Sequence, residues 1–226
     1  MNSPIASIKV KRGYDATRRR EQARKSQDRI VKVAERRFLR DGYEPTTIAA
    51  VAQHAGVSVD TIYKSFGGKP GLIRAIRARA LMGAGPIPAE ERSDQLQGRE
   101  ADPRRIIRGW GVFVTEIMPP TAPILLLVRN AAGAHPELRA LLKELDADRL
   151  RRMTVNARRL AAAGHLRVGI TVADAADVLW TYSSPELYEL LVLRRGMPLK
   201  AFGQFVASAM IAALLNSQHR PWRSVA

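Results

Sequence analysis

Cysteine is absent from the 226 residues. That excludes a disulfide framework, a thiolate metal site and a cysteine nucleophile. Aromatic residues make up only 6% against 46% hydrophobic overall, so the core must be built mainly from Ala, Leu, Val and Ile. The four histidines, His54, His135, His165 and His219, are scattered, with neither an H-x-x-x-H pair nor a carboxylate at ligand spacing. Gly67-Gly68 is not followed by the GK[ST] of a phosphate-binding loop, and no Ser/His/Asp set presents itself. The expectation is therefore no catalytic residue, no metal and no cofactor: not an enzyme. No uninterrupted apolar run approaches the roughly 18 residues needed to span a bilayer. The first 30 residues are polar and basic, without the apolar core of a signal peptide. A chain with no membrane partner, cytoplasmic by default, is expected.

Acidic charge is in the minority, and its distribution is uneven. Residues 1–82 hold 18 Lys/Arg against 7 Asp/Glu, and residues 83–226 hold 19 against 14. Of the net +16, +11 thus sits on the first third of the chain. Such a concentration is the footprint of a polyanionic partner. No amphipathic helix joins a basic face to bulky aromatics, which speaks against an acidic membrane surface as that partner.

The stretch from Thr46 to Leu72, TTIAAVAQHAGVSVDTIYKSFGGKPGL, reads as two short helices joined by a tight turn and followed by the start of a third. Thr46 or Thr47 can cap the first helix by accepting a bond from an unpaired backbone N–H. Ile48, Val51 and Ala52 share one face. Gly56 supplies the left-handed residue that turns the chain, Val57 plugs the corner, and Ser58 caps the second helix. That helix, roughly Val59 to Phe66, is expected to bury Ile62 and Phe66 and to leave Asp60, Thr61, Tyr63, Lys64 and Ser65 largely free. A small residue, a glycine four further on, an apolar residue next and another five beyond describe a helix-turn-helix. Such a unit lays its second helix in the major groove of double-stranded DNA. Thr46, Thr47, Ser58, Val59, Asp60, Thr61, Tyr63 and Lys64 are the expected DNA-binding residues. Lys69, where a cation and free N–H groups coincide at a helix start, is expected to meet a phosphate.

The order VSVDTIYKSFGGKPGLI, behind an amphipathic helix ending in RDGYEPTT, closely resembles the TetR family of bacterial transcriptional repressors. The match covers about residues 26 to 82. The resemblance implies an N-terminal DNA-binding domain, a C-terminal helical bundle that forms a homodimer, and a pocket for a small-molecule effector within that bundle.

Helical periodicity runs through most of the remaining chain, and no strand pattern or repeat interrupts it. The fold class expected is all-α. Residues 1–25 read as a basic, disordered arm, 26–71 as the helix-turn-helix domain, 72–82 as a linking helix and 83–102, rich in Gly, Pro and charge, as a flexible loop. Residues 103–226 form the effector-binding and dimerisation domain. Within it, helices are expected over 103–118 and 121–133, separated by Pro119-Pro120, then over 136–163, 171–182, 185–195 and 198–215. Inward residues of the middle helices, Trp110, Phe113, Met118, Leu126, Arg129, Asn130, Met153 and Trp180, are the pocket candidates. Arg129 and Asn130 stand out because a polar pair in an apolar helix needs a partner. The end of the chain carries more apolar surface than one subunit needs, which nominates Leu187, Leu190, Leu191, Phe202, Phe205, Val206, Ala209, Met210 and Ala213 for a dimer interface.

The reading that unites these features is a homodimeric regulator that binds a palindromic operator and is released by a small molecule. One rival is a DNA-binding protein without an effector, acting architecturally or through a protein partner. The other is an enzyme on a helical scaffold.

Overall fold

The computed structural model describes residues 7–216, with side chains from residue 17. The described residues form an all-α protein of two compact units, divided between Ile76 and Arg77.

The first unit opens with α1 (Ser7–Asp41), followed by α2 (Ile48–Ala55), α3 (Val59–Phe66) and α4 (Lys69–Ala80), whose last residues pass into the second unit. Ile30, Val33, Ala34 and Phe38 form the buried stripe of α1. Leu39, next along the helix, is 46% exposed. Gly42, at φ +89°, ends α1, and Tyr43 stacks on Phe38 with ring centroids 5.8 Å apart. The disordered arm expected over 1–25 is instead helical from Ser7, and α1 runs unbroken across the expected boundary at residue 26. Arg, Lys, Gln and Glu are strong helix formers, and no proline interrupts the segment. Glu21–Lys25 at 3.0 Å and Asp28–Lys32 at 2.7 Å add pairs one turn apart. Residues 1–6 lie outside the described residues.

The second unit contains α5 (Ala89–Arg99), α6 (Pro103–Ala131), α7 (Pro136–Ala162), α8 (Val172–Tyr182), α9 (Pro185–Tyr188) with a π-helical continuation over Glu189–Arg194, and α10 (Leu199–Leu214). The flexible loop expected over 83–102 holds a real helix, α5. AEERSDQLQGR has two acidic residues in its first turn, favourable at the positive helix start. Three side chains tie α5 down: Arg92 to Glu116 at 2.6 Å, Asp94 to Arg152 at 2.7 Å, and Gln97 to Asn156 at 3.1 Å.

The two helices expected over 103–118 and 121–133 are one. α6 continues through Pro119, Pro120 and Pro123. Each proline removes the N–H that would bond the carbonyl four residues back, but Met118, Ala122, Ile124, Leu125 and Leu126 are buried on successive turns and hold the helix together. Because the prolines do not end it, α6 is also long and apolar enough by composition to cross a bilayer, with an 18-residue window of mean hydropathy 1.6. The expectation that no segment reaches that length is corrected. Of that window, 44% is buried inside the unit, where α6 packs against α5, α7, α9 and α10.

Candidate nucleic-acid interface and inner cavity

Local capping builds the reading pair. Thr47, not Thr46, caps α2: its hydroxyl accepts from Ala50 N–H. Gly56 follows α2 in the left-handed conformation (φ +62°), and Val57 N–H bonds Ala52 O at 3.0 Å. Ser58 then caps α3 by accepting from Thr61 N–H at 3.1 Å, with its hydroxyl 2.8 Å from that of Thr61. Ile62, fully buried, anchors α3 to the core. Gly71 fixes how closely α4 follows: a Cβ there would lie 1.6 Å from Phe66 O at the end of α3. No other residue fits that approach, and the sequence pattern gave no notice of it.

Anchoring by Ile62 turns the rest of α3 outward. Val59, Asp60, Tyr63 and Lys64 are exposed, Tyr63 by 53%, and Thr61 is half-buried. Lys64 Nζ lies 2.7 Å from Asp60 one turn earlier. The face therefore offers a phenol, an ammonium, a carboxylate and a hydroxyl on one short rigid helix. Thr47 stays exposed at the start of α2.

Two expected DNA contacts are corrected. Thr46 is fully buried, its hydroxyl donating to Gly42 O at 2.7 Å. It closes the corner between α1 and α2 instead of facing outward. Lys69 also turns inward: its ammonium donates to Tyr43 O at 2.8 Å and lies 4.2 Å from the Tyr43 ring centre. A lysine that already satisfies a carbonyl and an aromatic face is a brace for the α1–α2 corner.

The second unit holds a cavity of about 130 Å³ among α4, α5, α6, α7, α8 and α10. Four expected pocket residues line it: Trp110, Phe113, Met118 and Met153. Four do not. Leu126 is core. Arg129 finds the partner its setting demanded in Glu189, at 2.9 Å, and Glu186, at 3.4 Å. Those carboxylates, Glu189 most of all, hold its guanidinium pKa above the ordinary value. Asn130 is exposed beside Arg129 and accepts from it. Trp180 lies beneath Arg149, whose guanidinium carbon is 4.2 Å from its ring centre.

The polar part of the cavity wall was missed. Ser93 accepts from Trp110 Nε1 at 2.9 Å, and Asn156 accepts from Gln97. Thr121, 2% exposed, has a hydroxyl with no hydrogen-bond partner. Arg77, Arg149 and Arg152 also border the cavity, each paired with an aspartate: Asp148 at 3.5 Å, Asp146 at 3.3 Å and Asp94 at 2.7 Å. Burial lowers the Arg149 pKa, partly offset by Asp146. Ser93 sits in a segment read as loop, and Thr121 beside prolines read as a break, so neither was placed on a wall.

The expected dimer residues divide by face. Phe202, Val206 and Met210, spaced by four, point into the unit's own core and are corrected as interface residues. Leu187, Leu191, Ala209 and Ala213 are half-buried, while Leu190 and Phe205 are exposed. Val112 and Leu193, not expected, are exposed as well.

A capped helix-turn-helix with a polar outer helix, joined to a helical unit with its own cavity, defines a DNA-binding regulator. Residues 30–76 match the model of the bacterial regulatory proteins of the tetR family. Among solved structures the chain is similar to NalD of Pseudomonas aeruginosa, the secondary repressor of the MexAB-OprM multidrug efflux pump. That likeness has a TM-score of 0.66 at 20% identity and covers 89% of this chain and 100% of that one. It is similar also to the fatty acid degradation regulator FadR of Bacillus halodurans (TM-score 0.66, 16% identity, 82% of this chain and 94% of that one). A third likeness is to a transcriptional regulator of Saccharomonospora viridis solved with choline (TM-score 0.62, 19% identity, 85% and 99%). At these identities the structures establish a shared fold. A search of curated proteins finds no match. Residues 30–76 thus match the tetR family model, and the chain as a whole shares the fold of these solved regulators.

Proposed function

We propose that the protein is a repressor that binds a palindromic DNA operator as a homodimer and releases it when a small molecule occupies the cavity of the second unit. The observation that carries this reading is the outward face of α3. Asp60, Tyr63 and Lys64 are exposed on a helix whose position is fixed by Ser58, Ile62 and Gly71. Side chains near the start of such a helix reach base edges and those further along reach phosphates. Thr61 and Asp60 are the candidates for sequence preference, Tyr63 and Lys64 for backbone contact, and Thr47 for a contact from α2.

A two-fold dimer places two reading helices about 34–36 Å apart, in successive major grooves. Exposed Phe205 on α10, with half-buried Ala209 and Ala213, offers each copy an apolar strip that can face itself. Leu190 and Leu193 extend it along the preceding element.

The cavity favours an effector-responsive regulator over one without an effector, because it contains a buried hydroxyl that nothing in the protein satisfies. Arg77 and Leu81, at and beyond the end of α4, border it. α4 is also the helix that begins immediately after α3. A ligand that favours a different position of Arg77 would bias α4, and only to the extent that it binds that state more tightly. The test is DNA affinity by fluorescence anisotropy on a selected genomic site, with and without a compound shown to raise the melting temperature. The affinity should fall at saturating compound. A stabilising compound that leaves it unchanged contradicts release.

A further inference from the structure

The cavity also has a size, a polarity and a charge state that together describe what fits it. Its volume of about 130 Å³ is close to the roughly 150 Å³ of an apolar protein cavity that accepts benzene. It therefore takes one ring and few further atoms. Trp110 and Phe113, with Met118 and Met153, make up much of the wall. Thioether sulfur and aromatic edges are favourable company for another aromatic ring.

Charge narrows the class. The three bordering guanidiniums, Arg77, Arg149 and Arg152, are each paired with an aspartate. An anion would have to compete for cations already neutralised, at the full cost of its own desolvation. A cation would find Glu90 as the one carboxylate on the lining and would bear the same cost of its own desolvation. A neutral molecule avoids both costs.

One buried hydroxyl on the wall lacks a partner. Ser93 already accepts from Trp110, and the Asn156 oxygen from Gln97. Thr121 Oγ1 is buried without a partner on the cavity wall. A hydroxyl can donate once and accept twice, so it matches a ligand hydroxyl in either direction.

We propose that the cavity takes a neutral, single-ring aromatic bearing one hydroxyl, with Thr121 as the side chain that recognises that hydroxyl. This rests on reading the cavity as the effector site. The experiment is calorimetric titration of the full-length protein near pH 7 with phenol, toluene, benzoate and benzylammonium. It is then repeated on Thr121→Val and Thr121→Ser. Phenol should bind the wild type most tightly. Thr121→Val should weaken phenol by up to about tenfold, the value of one buried hydrogen bond, and bring it level with toluene. Thr121→Ser should keep the preference for phenol. Thr121→Val removes an unsatisfied buried hydroxyl, so its melting temperature should equal or exceed that of the wild type. Benzoate or benzylammonium binding most tightly, no binding by any of the four, or phenol binding unchanged in Thr121→Val would each overturn the proposal. The effector reading fails separately, if phenol binds in this Thr121-dependent way while DNA affinity stays the same.

Discussion

Gly111 on α6 and Gly203 on α10 meet backbone to backbone. A Cβ on Gly111 would lie 2.5 Å from Gly203 O, and one on Gly203 would lie 2.6 Å from Gly111 O. Two helices approach this closely only where neither carries a side chain. The crossing sets the depth at which Phe202 and Val206 enter the core beside Trp110 and Val114.

Gly203→Ala should therefore force α6 and α10 apart. Overpacking of this kind costs about 1–3 kcal/mol, or roughly 3–10 °C of melting temperature for a unit of this size. Differential scanning calorimetry measures it. A melting temperature within a degree of wild type would mean that the crossing yields easily.

Lys64 on α3 neutralises Asp60 one turn away, both being well exposed. Lys64→Ala should weaken DNA binding twice over, by losing a phosphate contact and by leaving an unpaired carboxylate near the phosphates. The salt slope should fall by about 1 for the lost contact. Adding Asp60→Asn should recover part of the affinity. If the double variant binds no better than Lys64→Ala alone, Asp60 does not face the backbone.

Phe205 and Phe202 lie three residues apart on α10 but differ in burial, one 42% exposed and the other fully buried. Phe205→Glu should leave the fold intact and give a monomer by sedimentation, with DNA binding lost. Phe202→Glu should instead unfold the second unit, since it buries an unpaired charge at a cost of several kcal/mol. A Phe205→Glu protein that still sediments as a dimer would move the interface elsewhere.

Glu116 is one source of acid sensitivity in the second unit. Burial raises its pKa, but the Arg92 hydrogen bond, the Ala84 N–H and the Arg92 charge outweigh burial and hold it below the ordinary value. A carboxylate lowered in the folded state stabilises above its unfolded pKa, and that stabilisation is lost as pH falls through the folded one. Glu116→Gln should therefore be less stable than wild type near pH 7, and the gap should close as pH falls through the range where the carboxylate takes up its proton. Denaturant unfolding at several pH values measures this. A constant gap would contradict the assigned pairing.

Turn chemistry and helix period made much of this legible. Gly56, Ser58 and Ile62 stand where their spacing placed them, because capping and a left-handed glycine are local effects. Helices α7, α8 and α10 follow their periodicity to within a residue or two. What was hidden depends on tertiary partners. Pro119 and Pro120 read locally as a break, yet the surrounding buried residues carry α6 through them. Phe202, Phe205 and Met210 look alike as apolar positions on one helix, and only packing against α6 separates inner from outer. Lys69 looked like a free cation because Tyr43, its partner, lies 26 residues away.

The central claim is that α3 reads DNA as one half of a two-fold pair. The most direct measurement is recovery of the genomic fragments the full-length protein binds, with footprinting of the strongest. The account predicts a two-fold symmetric site with half-sites about 10 base pairs apart, or a multiple of that, and loss of protection with Tyr63→Ala and Lys64→Ala. Recovery of no preferred sequence, or an unchanged footprint with both variants, would contradict it.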